Sequence, residues 1–321
     1  MVLNNKGFYL LVVLILLASS GTVTSQIKVD LKKIIKHTNI ETSYPYWSPD
    51  GSKIVFQSNR NDNDSEIYIM DMDGTNTKRL THSPGLDETP IWSPNGKSIL
   101  FASERDGNYE VYLMDVDGTN VKNLTNHPAH DGHPNFSPDG QKIIFHSNRS
   151  MPDSTFIKNE FTTDINHELY EMNIDGSDFK RITDYPLWDT YPDISPDGSK
   201  IAFRRLVETQ MGIYKTNSEV FVANRDGSNA YNLTNYPDHD GWPAWSPDGS
   251  KIAFASERER FNNWQIYTIN PDGTDITRIT EFDSQGGYFA KPQWSPDGSK
   301  IICTRTKDGN VEIFIIDLEK P

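Results

Sequence analysis

Only one cysteine, Cys303, stands among 321 residues. That scarcity excludes an intramolecular disulfide framework and any zinc or iron–sulfur centre built from several thiolates. Cys303, in the apolar run Lys300-Ile-Ile-Cys, is expected to be a buried strand residue. Positive charge is also short: 31 Lys and Arg face 45 Asp and Glu, giving a net charge of −14. A polyanion would be repelled at long range, so no nucleic-acid partner is expected. Apolar residues reach only 35%, low for a compact globule, while aromatics reach 11% and Gly and Pro number 21 and 19. That balance favours many short strands joined by polar turns.

The longest apolar run, residues 8–18, follows Lys6 and precedes the small residues Ser19, Ser20, Gly21, Thr22 and Ser25. A helix of that length cannot cross a bilayer core of about 30 Å, which needs roughly 20 residues. Residues 1–25 therefore read as a secretory signal peptide cleaved after Ser25. Residues 26–321 form the remaining domain, expected to be monomeric, periplasmic or secreted, and without a membrane span once the signal is removed.

What fills the chain is a repeat. One pentapeptide recurs six times, from Trp47-Ser-Pro-Asp-Gly through Trp92, Phe136, Ile194 and Trp245 to Trp294-Ser-Pro-Asp-Gly, with Asn95 replacing Asp in the second copy. Successive copies start 45, 44, 58, 51 and 49 residues apart, near the period of propeller blades. Each repeat resolves into four short strand candidates, A to D, with Ser-Pro-Asp-Gly after A and Asp-Gly after C as turn signals. A lone four-stranded sheet cannot bury both faces, but six arranged radially cover one another. The fold class is all-β, a six-bladed β-propeller. The sixth repeat lacks a fourth strand, whereas residues 31–39 match the fourth-strand pattern and precede blade one. The N-terminal strand is expected to complete the last blade, leaving no sheet edge open to aggregation.

The motif Asp-x-x-Pro-x-Trp-Ser-Pro-Asp-Gly, followed by Lys-Ile-x-Phe-x-Ser-x-Arg, Glu-Ile-Tyr, Asp-Gly and Leu-Thr, resembles the TolB-like family of propellers with PD-type, WD40-like repeats. The resemblance covers residues 27–320 and implies a binding scaffold. Metal-dependent oligogalacturonate lyases, which use channel histidines, are similar in fold and repeat type. No Gly-x-Ser-x-Gly elbow occurs, so the serine hydrolase class associated with dipeptidyl-peptidase propellers is not expected.

In an up-and-down blade the A–B and C–D turns fall on one rim, and the B–C and D–A connections on the other. The first rim is monotonous. The second carries insertions at residues 150–167 and 208–218, and is the expected recognition face. Three residues before the blade proline stand Asp87, Asp131, Asp189 and Asp240. They either line the channel mouth as a socket for a basic group or a cation, or cap their own loops. Trp188 and Trp242 lie in the same loops, as candidates to stack on sugar rings or clamp a peptide. So do His130, His133 and His239, which would suit a divalent metal in the channel. Arg205 and Arg305 stand where other blades have Ser58, Ser103, Ser147 and Ser256, and join the candidate partner-binding residues. Arg60, Arg105 and Arg149 are expected to pair with Glu66, Glu110 and Glu168 across the B–C hairpin.

Two functions follow. The first is an exported, non-catalytic scaffold that holds a protein or peptide through the loop-rich rim and an acidic channel mouth, with no cofactor. The alternative is a metal-dependent lyase or hydrolase of oligosaccharides, with Arg205 stabilising developing negative charge.

Overall fold

The computed structural model describes residues 29–33, 41–61, 64–150, 166–208, 216–259, 262–281 and 287–318. Among these there is no helix, and the strands assemble into six four-stranded antiparallel sheets. Blade one runs Thr42–Trp47, Lys53–Ser58, Glu66–Asp71 and Lys78–Arg79, a plain meander. Its Ser-Pro-Asp-Gly turn is fixed by side chains. Asp50 Oδ1 accepts hydrogen bonds from the Ser48 hydroxyl (2.6 Å) and the Ser52 amide (3.0 Å), and Gly51 adopts φ +70°. These bonds hold the Asp50 carboxyl down to about 2.

Adjacent blades share their cores. Val55, Ile67 and Leu80 of blade one pack with Trp92, Ile99, Phe101, Tyr112 and Met114 of blade two. The opposite face of blade one, with Ile54, Phe56 and Tyr68, packs against Ile302, Ile313 and Ile315 of blade six. Strand pleat decides which residue joins which interface, because neighbours along a strand point to opposite faces. Phe56, Phe101, Phe145, Phe203 and Phe254 fill one repeat position and are fully buried; each burial is worth roughly 1.5–3 kcal/mol. Cys303 holds that position in blade six and is likewise buried, its thiol pushed well up by desolvation.

The ring closes as expected. Val29–Lys33 pairs antiparallel with Asn310–Leu318, with Leu31 opposite Ile316, and so supplies the outer strand of blade six. The strand therefore begins two residues earlier than the sequence pattern suggests. Residues 34–39 of the expected segment lie outside the described residues, as do the signal-peptide reading of residues 1–25 and the insertion residues 151–165 and 209–215. In blade four the insertion lengthens the B–C hairpin itself, as Lys200–Glu208 pairs throughout with Thr216–Asn224.

Candidate functional site: the channel and its funnel

Strand A of every blade carries a bulge at its proline. In blade one Ser43 pairs with Gln57 and Tyr46 with Val55, so Tyr44 and Pro45 together oppose the single residue Phe56. The same register shift recurs in the other five blades. Proline tolerates this position because it has no N–H to give to the ladder. The residue before it takes a left-handed backbone: Tyr44 (φ 48°), Thr89 (52°), His133 (47°), Tyr191 (54°), Trp242 (51°) and Lys291 (57°). For bulky or β-branched residues such φ values are strained by about 1–3 kcal/mol each, and strain of this kind concentrates at functional sites.

These six residues form the throat of the axial channel, where the free volume narrows to about 80 Å³. Their side chains meet across the axis. His133 Nε2 lies 3.2 Å from the Tyr44 hydroxyl, and the His133 ring stands edge-on to Tyr191, with centroids 4.1 Å apart. The Lys291 ammonium donates to Ser43 Oγ (2.6 Å) and sits 3.7 Å from the Tyr44 ring centre. Desolvation pushes the His133 imidazole down to about 3 and the Lys291 ammonium down to about 8.

On the loop-rich side the throat opens into a funnel of about 330 Å³, lined by Glu88, Tyr109, His130, His146, His167, Trp188 and Arg204, among others. His133, His146 and His167 form a file with ring centroids 4.8 and 5.1 Å apart, ending edge-on to Trp188 at 5.4 Å. Burial lowers all three, His167 to about 4. The Tyr109 hydroxyl donates to Glu88 Oε2 (3.1 Å), and Gln57 Nε2 donates to Oε1 (3.2 Å). Burial raises the Glu88 carboxyl. On the opposite rim the channel widens again to about 240 Å³ between the repeat prolines and tryptophans.

Several expected site residues are placed elsewhere. Of Asp87, Asp131, Asp189 and Asp240, Asp131 alone borders the funnel; all four are fully buried, each in an ion pair with Arg105, Arg149, Arg205 or Arg258 of its own blade. They begin strand A opposite the end of strand B, so the pleat turns them into the sheet stack. The guanidinium that neutralises each one lies over an aromatic pair, such as Phe101 and Tyr112 for Arg105. Arg105 and Arg149 are thus committed to aspartates rather than to Glu110 and Glu168. The strand C glutamates instead bond to strand D, with Arg79 donating to Glu66 (2.5 Å) and Arg181 to Glu168 (2.8 Å).

Arg205 does in blade four what Arg258 does in blade five, donating to both oxygens of Asp189 at 2.7 Å. Arg305 lies over Phe289 and Phe314. Here Phe289 stands in the aspartate position and supplies the ring that Cys303 does not. In blade one Thr42 replaces the aspartate, and Arg60 rests on Phe56 and Tyr68.

The expected metal triad is not assembled. His130 Nδ1 faces the Tyr109 amide, and His239 Nδ1 accepts from the Ser218 amide (3.1 Å) while its ring faces Trp264. His130 and His239 hold the same repeat position in blades three and five, with Trp188 between them, whereas His133 lies deeper. Among the described residues no three His, Cys, Asp or Glu side chains are gathered to hold a metal ion. Trp242 does reach the channel, packed on Trp264 and Tyr191. The sequence reading missed His146, His167, Glu88 and Arg204. For Arg204 the signal was available: it is the strand neighbour of Arg205 and must face the other way.

Six four-stranded sheets around a side-chain-lined axis define a β-propeller with a ligand-sized cavity at each end of its channel. The chain belongs to the TolB beta propeller domain family, which matches residues 18–120, 89–160 and 212–321. TolB from Acinetobacter baumannii is similar, 25% identical with a TM-score of 0.63 over 79% of this chain and 57% of that one. The uncharacterized protein Atu1656 of Agrobacterium fabrum is 28% identical over 223 residues, 67% of this chain and 55% of its own length. An oligogalacturonate lyase in complex with manganese shares the fold, 14% identical with a TM-score of 0.59 over 92% of this chain and 97% of that one. The chain spans little more than half the length of the first two.

Proposed function

We propose that this propeller is an exported binding scaffold that holds a protein partner at its loop-rich rim, with the funnel receiving part of that partner. One observation carries the reading: six strained residues are aimed at a throat that opens, on the loop-rich side, into the larger of the two end cavities. A fold that needed the channel merely as filling would place unstrained apolar residues there, as it does between its blades. Resemblance to TolB supports a protein as the ligand, and the apolar run at residues 8–18 supports export.

A photo-crosslinking amino acid placed at Trp188 tests the reading against the same group placed at Pro196 on the opposite rim. The expected result is one protein species crosslinked from position 188 and none from 196. Crosslinking from 196 alone would reverse the assignment of faces. An oligosaccharide ligand is the second reading, favoured by the indole faces of Trp188 and Trp242 beside polar imidazole edges; its metal-dependent form finds no ligand set among the described residues.

A further inference from the structure

We infer that the funnel is an anion socket that captures the carboxylate of a peptide chain end, with Arg204 as its anchor; the inference rests on the protein-binding reading above. The sequence suggested an acidic mouth selecting basic groups, whereas the structure sets a guanidinium in the funnel wall beside Glu88 and the ion-paired Asp131. The four aspartates are withdrawn into ion pairs, and the cation facing the funnel is Arg204.

Arg204 is held by its face and free at its edge. Its guanidinium carbon lies 5.9 Å from the Tyr191 ring centre and 5.6 Å from that of Trp242. Among the described residues it forms no ion pair. Glu257 feels its charge without pairing with it. A planar guanidinium stacked on aromatic rings has little side-chain freedom left to lose and presents a fork that matches a carboxylate. Its stem runs close over Gly241, where an added Cβ would stand 3.0 Å from Arg204 Cδ. The lack of a side chain at 241 is what lets the stem lie there.

A second observation points to a polar ligand at the same place. Among the described residues, Thr89 Oγ1, His133 Nδ1, His146 Nδ1, His167 Nδ1 and Trp242 Nε1 are buried with no hydrogen-bond partner, as is Asp131 Oδ1. Buried polar groups are normally satisfied, so six such atoms along one funnel and throat call for an occupant that bonds to them. Five of the six can act as donors: the indole N–H only donates, the hydroxyl rotates, and a neutral imidazole can carry its proton on Nδ1. A carboxylate, which only accepts, fits these five donors, and the amide groups behind a chain terminus fit Asp131 Oδ1, Glu88 and Tyr109 in the same lining.

The test uses the full chain against an array of random heptapeptides displayed with free C-terminal carboxylates and again as C-terminal amides. Titrations of the strongest binders follow, by tryptophan fluorescence. The expected outcome is binding of free acids at least tenfold tighter than of their amides, with the preference abolished by Arg204→Gln and weakened by Gly241→Ala, which displaces the Arg204 stem. Thermal denaturation identifies a variant that fails to fold, and Arg204→Lys then reads the same contrast with charge kept and the fork removed. Equal binding of acids and amides overturns the carboxylate anchor while the protein-binding reading stands. No peptide binding, with D-galacturonate bound through Arg204, overturns the peptide assignment and the protein-binding reading together. No binding of either probe overturns the socket.

Discussion

Replacing Asp87 by Ala separates a structural aspartate from a partner-binding one. Arg105 Nη2 reaches both carboxylate oxygens of Asp87, at 3.1 and 2.9 Å, and Ser83 adds a hydroxyl donor at 2.8 Å. The Asp87 side chain has no exposure and that of Arg105 only 18%. Removing one member of a buried pair leaves the other charge uncompensated, at a cost of about 3–5 kcal/mol. The lower end applies here, because Arg105 keeps its Ser103 bond and its seat over Phe101 and Tyr112 and retains a little water. At about 2–4 °C per kcal/mol for domains approaching this size, a loss of about 3 kcal/mol lowers Tm by roughly 6–12 °C. The double variant Asp87→Ala/Arg105→Met removes both charges and should recover most of that loss. Differential scanning calorimetry of the two singles and the double completes the cycle. A drop of under about 2 °C for Asp87→Ala, accompanied by loss of partner crosslinking at position 188, would refute the reasoning and return the aspartates to the recognition surface.

Further outcomes follow from other residues. Thr42→Asp gives Arg60, whose Nη2 is buried without a partner among the described residues, the carboxylate present in four other blades, and should raise stability by about 1 kcal/mol, read as a higher Tm. Thr89→Asn relaxes a β-branched residue at φ 52° into a type that tolerates it, and should also stabilise by about 1 kcal/mol in urea titration. His133 and His167 titrate near 3 and 4 in the folded chain and near 6.5 when unfolded, so the unfolded state takes up protons first as pH falls. Stability is therefore lost progressively below about pH 6.5. For His167 the loss reaches up to about 3 kcal/mol by pH 4, and His167→Asn should flatten the slope of urea midpoints between pH 7 and 4.5.

The fold was legible because six turns need the same chemistry. A Ser hydroxyl and an Asp carboxylate at fixed offsets fasten each A–B turn, so the residues themselves recur and self-comparison finds them. The throat escapes such a search for the opposite reason. Tyr44, Thr89, His133, Tyr191, Trp242 and Lys291 share a backbone conformation and no side-chain chemistry, and only the proline after each marks the position. The aspartates recur visibly, but their direction depends on the strand pleat: a one-residue step separates the buried Asp189–Arg205 pair from Arg204 in the funnel. The histidine file draws on strand B and the end of an insertion, elements far apart in sequence, so spacing could not join His146 and His167 to His133. Spacing joined His130 to His133 instead, and the bulge at His133 and Pro134 sets the two rings at different depths.

The clasp between Val29–Lys33 and Asn310–Leu318 has a bearing on how the molecule is made. During synthesis the earliest of these strands emerges hundreds of residues before its mate and must wait, unmatched, while five blades accumulate beside it. Until the partner strand leaves the ribosome, the growing stack has two raw flanks, one at each end of an arc. A chaperone that shields such flanks would therefore be needed most just before translation of blade six is finished, and a stalled ribosome at that point would display the most adhesive form of the chain.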